Sequence, residues 1–289
     1  MCYNLIERKK GLFLSRKSKE RINIMEKNNP KAWLYLLPAI LFLGVFMIYP
    51  LIDVFIYSFE EGYNSAYAIF GTKYGSVNTC FSVDNGEKIT VPDGIAHYLE
   101  HKMFDQPDGS NVFESFSRFG GNANAFTSFD KTCYIFSATS NIEESLDILL
   151  SFVTQPYFTK ETVEKEQGII DQEIGMVADE PGTRVFENLM TAMYAVHPIR
   201  IPILGTEETI REITPEVLYA CHRAFYTPDN MLLCVVGDVE PETVADIARE
   251  MLGTEHREAG VKCQNWPEPM TCVTSEVTAT MEVAMPMFH

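Results

Sequence analysis

The chain has 289 residues, which allows two domains at most. Apolar residues make up 46 %, enough to bury a sizeable core and to exclude wholesale disorder. Twenty-three Lys and Arg against 40 Asp and Glu give a net charge of −17. Nucleic-acid binding needs cations to displace counterions, so that class of partner is excluded.

The charge is uneven. Residues 1–31 hold nine Lys or Arg against three acids, a basic tail of +6, and the remainder holds 14 bases against 37 acids, or −23. Between them lie 21 uncharged residues, Ala32 to Ile52. About 20 apolar residues cross a bilayer core. Trp33, Tyr35 and Tyr49 sit near the ends of the stretch, where amphipathic rings favour the interface. Pro38 and Pro50 would break a soluble helix but are tolerated in a membrane helix. We therefore expect a single membrane span over residues 32–59, with the basic tail left in the cytoplasm. Residues 27–63 resemble the first span of a sugar-type ABC transporter permease. The later spans and coupling loop of that family have no counterpart, so transport is not implied.

From about Ser65 the chain reads as an α+β domain. Val91-Pro92-Asp93-Gly94 predicts a helix start with Asp93 as N-cap, continuing over Ile95 to Phe104. Asn122 to Ala138 predicts a strand pair turning at Asp130-Lys131. Ile142, Leu146, Leu149 and Leu150 recur at helical spacing in a helix reaching Phe152. Thr159 is expected to cap a helix from Lys160 to about Val177. Further helices are expected over Arg184–Tyr194, Pro215–Phe225 and Pro241–Leu252. Met231–Val236 reads as a buried strand, and the tail from Gly253 as polar and irregular. The seven cysteines, Cys2, Cys80, Cys133, Cys221, Cys234, Cys263 and Cys272, are odd in number and form no C-x-x-C pair. That pattern fits reduced thiols better than disulfides or a cysteine zinc site, and Cys133 and Cys234 are expected as small core residues. His222 is expected in a structural role, and His197, in a loop, outside any ligand set.

The chemistry concentrates in His97-Tyr98-Leu99-Glu100-His101. On a helix, residues four apart share a face, so two imidazoles can meet one metal ion. A solvated surface pair is the usual bland reading. Here Glu100 completes the H-x-x-E-H pattern of a zinc peptidase helix, with a carboxylate in reach as general base. Catalytic zinc takes three protein ligands and leaves one position open. Glu166 and Glu173, seven apart on the predicted helix over residues 160–177, offer a third ligand and an acid to orient an imidazole.

H-x-x-E-H, followed by E-x6-E with Glu173 lying 72 residues after His101, resembles the pitrilysin/insulinase family of zinc metallopeptidases. Phe119 to Thr127 resembles that family's glycine-rich lead into an N-A-x-T strand. Asp130 to Tyr134, Phe225 to Met231 and Val235 to Asp238 match its D-x-T-x-Y, Y-x-P-x-N-M and V-V-G-D signatures. The resemblance covers residues 66–252, approximately. It implies one half of a pitrilysin-type domain, an antiparallel-rich sheet packed by helices, over residues 65–252. Residues 253–289 would then be a linker and the truncated start of a second half. It further implies His97, His101 and Glu173 as ligands of one zinc ion, Glu100 as general base and Glu166 as a supporting acid. The Asn124-Ala125-Phe126-Thr127 strand would receive an extended peptide at a sheet edge.

The expected function is zinc-dependent hydrolysis of a peptide or small protein, with a second half-domain chain or a second copy as possible partner. The expected location is a membrane, through residues 32–59. The alternatives are a membrane-anchored, non-catalytic metal-binding or regulatory subunit of a two-chain peptidase and a chimeric fragment of a sugar transporter permease. The family's opening strand is expected where the permease-like segment stands, leaving the sheet short of an edge.

Overall fold

A computed structural model describes residues 65–253 and 260–281. The chain divides near residue 60, and all described residues lie on the C-terminal side of that division. The expected basic tail, membrane span and permease-like segment fall on residues 1–64, outside the described residues, as do most of the residues expected to open a second half. Among the described residues no helix is long and apolar enough to cross a membrane.

Four antiparallel strands form the main sheet, in the order β4-β5-β1-β6. These are β1 (Ala66–Thr72), β4 (Asn122–Thr127), β5 (Thr132–Ala138) and β6 (Met231–Val236). A smaller sheet joins β2 (Cys80–Val83) to β3 (Ile89–Thr90) and β7 (Val261–Cys263). The helices are α1 (Ile95–Lys102), α2 (Val112–Arg118), α3 (Ile142–Thr154), α4 (Lys160–Ala178), α5 (Pro181–Met193), α6 (Glu207–Ile210), α7 (Pro215–Phe225) and α8 (Pro241–Leu252). The α+β class, the β4–β5 pair and its turn at Asp130-Lys131, and the helices at α3, α4, α7 and α8 agree with the sequence reading. The helix at α5 starts earlier than expected, because Pro181 takes its first turn and Glu180 caps it from its side chain.

Alternation on the strands places the core. Ala66, Ala68, Phe70 and Thr72 of β1 are buried, while Tyr67 is exposed. Phe70, Tyr134 and Phe136 of the sheet join Leu99 of α1 and Leu146, Leu149 and Leu150 of α3 in one apolar cluster. Each such side chain contributes about 1.5–3 kcal/mol on burial.

The segment in which the family's opening strand is expected lies outside the described residues. The strand β1, unnamed in the sequence reading, is in register with β5 from Ala66↔Ala138 to Thr72↔Thr132 and with β6 from Tyr67↔Val236 to Thr72↔Met231. Its small buried residues, Ala66 and Ala68, hide its period of two. Two strand expectations need correction. First, β6 is not a buried strand but the sheet's other edge among the described residues. Its alternate residues face outward, with Leu232 72 % exposed and Cys234 exposed as well, so only Cys133 of the two cysteines is buried. Last, part of the tail is ordered as β7, which pairs with β2 from Phe81↔Cys263 to Val83↔Val261.

Asp93 does not cap α1. The N-cap is Gly94, at φ 89°, without a side-chain hydrogen bond. A Cβ at Gly94 would lie 2.3 Å from the Leu204 carbonyl oxygen, and one at Gly205 would lie 2.5 Å from that of Asp93. Backbone therefore meets backbone at the start of α1, and only glycine fits.

His222 is structural, as expected. Its ring is buried against Tyr226, centroids 4.7 Å apart, and its Nε2–H donates to the Val153 carbonyl at 2.9 Å. Burial pushes its pKa down to about 4. An unfolded histidine titrates near 6.5. Below that pH the unfolded chain binds a proton that the fold refuses, so stability rises with pH across this window. Acidification from pH 6.5 to 4 should cost about 3 kcal/mol through this residue. Urea midpoints of wild type and His222→Gln measured across that range should converge as pH falls. Parallel curves would refute the assignment.

Candidate metal centre

Two helices build the site. α1 carries His97 and His101 one turn apart, with ring centroids 4.6 Å from each other. α4 begins at a capping box in which Thr159 Oγ1 accepts from Thr162 N. That start directs Glu166 and Glu173, two turns apart, towards the histidines. Glu173 Oε1 lies 3.6 Å from His97 Nε2, and Glu173 Oε2 lies 3.5 Å from His101 Nε2. One donor atom from each of His97, His101 and Glu173 can be chosen so that all lie within 4.8 Å of one another.

The donor set suits zinc. Two imidazoles and a carboxylate form a standard three-ligand catalytic set. At zinc bond lengths, the edge between two tetrahedral ligand atoms is about 3.3–3.4 Å. The two nitrogen–oxygen separations are close to that edge and too long for strong hydrogen bonds. Glu166 Oε1 sits 3.0 Å from His101 Nδ1, which places the proton there and leaves the Nε2 lone pair facing Glu173. His97 Nδ1 is buried and has no hydrogen-bond partner among the described residues.

Glu100 lies beside the set and is buried. Its Oε2 accepts from Thr127 Oγ1 at 2.5 Å, and Thr127 in turn meets Thr132 Oγ1 at 3.2 Å. Burial raises the Glu100 pKa, against the lowering effects of the Thr127 hydrogen bond and the two imidazoles. Glu173 is held below the ordinary carboxylate range, chiefly by its contact with His97. For His101, burial favours the neutral ring, but the Glu166 hydrogen bond and the charges of Glu173, Glu166 and Glu100 outweigh it and raise its pKa. Three carboxylates thus surround two imidazoles, a balance that a divalent cation offsets.

All the expected site residues on α1 and α4 come together. The expected substrate strand, β4, is an edge of the main sheet among the described residues, with Asn124 and Phe126 exposed. Asn124 Oδ1 accepts from Ala125 N at 2.9 Å. Of the four expected residues, Thr127 is the one that bonds to the site, through Glu100. Sequence reasoning placed Thr127 on a peptide-binding edge and missed this contact. Nothing in the spacing of residues 100 and 127 announces it.

Residues 82–207 match the family profile described as insulinase (peptidase family M16), and residues 212–281 match that of the peptidase M16 inactive domain. A zinc protease of Bacillus subtilis named YmfH, described as uncharacterized, is 50 % identical over 203 residues. That match covers 70 % of this chain and 47 % of the relative. Residues 82–207 and 212–281 are insulinase (M16) family domains.

Every expected site residue falls inside the first M16 match and none inside the second. A solved M16-like peptidase from Alicyclobacillus acidocaldarius superposes with a TM-score of 0.70 at 42 % identity, covering 75 % of this chain and 51 % of that one. A protease from Helicobacter pylori, 23 % identical with a TM-score of 0.62, shares the fold. The chain spans about half the length of the relatives it matches. The two M16 matches do not extend to the permease-like segment.

Proposed function

We propose that this chain carries the catalytic half of a zinc metallopeptidase, with one zinc ion held by His97, His101 and Glu173. The observation that carries this reading is the meeting of three donors from two helices, with a buried carboxylate beside them. The zinc-protease names of the relatives support it. When bound, zinc supplies Lewis acidity and lowers the pKa of water at its open position to about 7.

The chain's own residues do the rest. Glu100 is the general base: it takes the proton of the attacking water and returns it to the leaving amine. Thr127 occupies Oε2, which leaves Oε1 for that transfer. The raised pKa of the Glu100 carboxyl brings its basicity nearer to working pH. Glu166 holds the His101 tautomer. An extended peptide would add to the β4 edge over Asn124 to Thr127 by main-chain hydrogen bonds, which tolerates many sequences. The side chains of His101 and Glu173 keep 26 % and 29 % exposure, so the site opens to one side, where a second half-domain or a second copy would close over a peptide.

Zinc analysis of the full chain, paired with hydrolysis of a quenched fluorogenic peptide mixture, tests the reading. We expect one zinc per chain, and cleavage that a chelator stops and added zinc restores. Stoichiometric zinc without cleavage, with and without a second half-domain, would reassign the site to metal holding alone.

A further inference from the structure

Towards α4, helix α1 presents two neighbouring stripes. One carries His97 and His101. The other, one residue further on, carries Tyr98 and Lys102, again four apart. Both of these are buried, at 0 % and 1 % exposure. Tyr98 Oη donates to the Val163 carbonyl at 2.5 Å. Lys102 Nζ donates to the Thr162 carbonyl at 3.1 Å and pairs with Asp105. Two side chains of the histidine helix therefore hold two successive carbonyls in the first turn of α4, one turn ahead of Glu166.

Stability alone does not account for this arrangement. A helix N-terminus is the positive end of its dipole, a poor place for an ammonium group. Desolvating the Lys102 ammonium is costly even with Asp105 as its partner, and a leucine or methionine at position 102 would fill similar space without that cost. The two bonds do specify where α4 sits along its axis. A slip of one residue shifts a helix by about 1.5 Å and turns it by about 100°. Such a slip would carry Glu173 away from both Nε2 atoms and Glu166 away from His101 Nδ1.

We propose that Tyr98 and Lys102 are positioning residues of the metal centre, locking the register of α4 so that Glu166 and Glu173 meet the imidazoles. The inference rests on the zinc site proposed above. It is tested on the full chain with Tyr98→Phe and Lys102→Met. Three properties are read: the zinc dissociation constant in competition with a chromogenic chelator, the visible spectrum of the cobalt-substituted protein, and the urea midpoint of the metal-free protein.

Positioning predicts that each variant, while still folded, binds zinc about tenfold or more weakly and shifts the cobalt bands. A merely structural role predicts a lower urea midpoint with zinc affinity and cobalt spectrum unchanged, and that result overturns the proposal. Tyr98→Phe deletes one hydroxyl and keeps the ring, so it carries the test by itself if Lys102→Met fails to fold. Wild type that binds no zinc would sink the metal centre itself. Wild type that binds, with variants that bind equally well, would sink the positioning role only.

Discussion

Glu100→Gln should reduce peptide hydrolysis by about 100-fold to 10,000-fold while zinc stays bound at one per chain. Glutamine keeps the size of the buried side chain, and its amide oxygen can still accept the Thr127 Oγ1 hydrogen bond. What it lacks is a lone pair basic enough to take a proton. A truncation to alanine would leave a cavity and release Thr127, which confuses packing with chemistry. The measurement is kcat on the peptide mixture beside a zinc assay of the same sample. Cleavage equal to wild type would eliminate Glu100 as the base, and lost zinc would show that its role lies in the metal set instead.

Glu173→Gln acts on the other function, holding the metal. It removes the anionic donor that lies 3.6 Å and 3.5 Å from the two histidine nitrogens. A neutral amide is a weak zinc ligand, and two neutral imidazoles leave the dication poorly compensated. We expect zinc affinity to fall on the order of 100-fold or more, with activity falling in parallel. Because Glu173 keeps appreciable exposure, the metal-free fold should barely notice the change. Glu166→Gln forms the contrast. It weakens the hold on the His101 tautomer without removing a ligand, so its zinc affinity should lie between wild type and Glu173→Gln. If the order were reversed, the assignment of ligand and supporting acid would have to be exchanged.

Comparing the sequence reading with the fold shows where local pattern suffices. The helix α3 was legible from its apolar spacing, and α7 and α8 from amphipathic runs that start at Pro215 and Pro241. The β4–β5 pair was legible because aromatic and β-branched residues flank a polar turn. Asp93 misled because its place before α1 looks like an N-cap. The backbone at 93–94 is instead pressed against 204–205, a contact across more than 100 residues. Met231–Val236 misled because a continuous apolar run is the usual mark of a strand buried on both faces. Only the strand order reveals it as an edge among the described residues.

The sequence by itself determined which side chains are offered to the candidate site. H-x-x-E-H sets two imidazoles one turn apart on any helix, and Glu166 and Glu173 must share a face of theirs, because helical periodicity is local. It also determined the family, through short motifs spread along the chain. Tertiary structure alone decided how α1 and α4 meet: that Glu173 faces both Nε2 atoms, that Glu166 takes the Nδ1 of His101, and that Thr127 reaches Glu100. These contacts join residues 27 to 76 positions apart. Their geometry depends on the packing of a whole core, and no local periodicity encodes it.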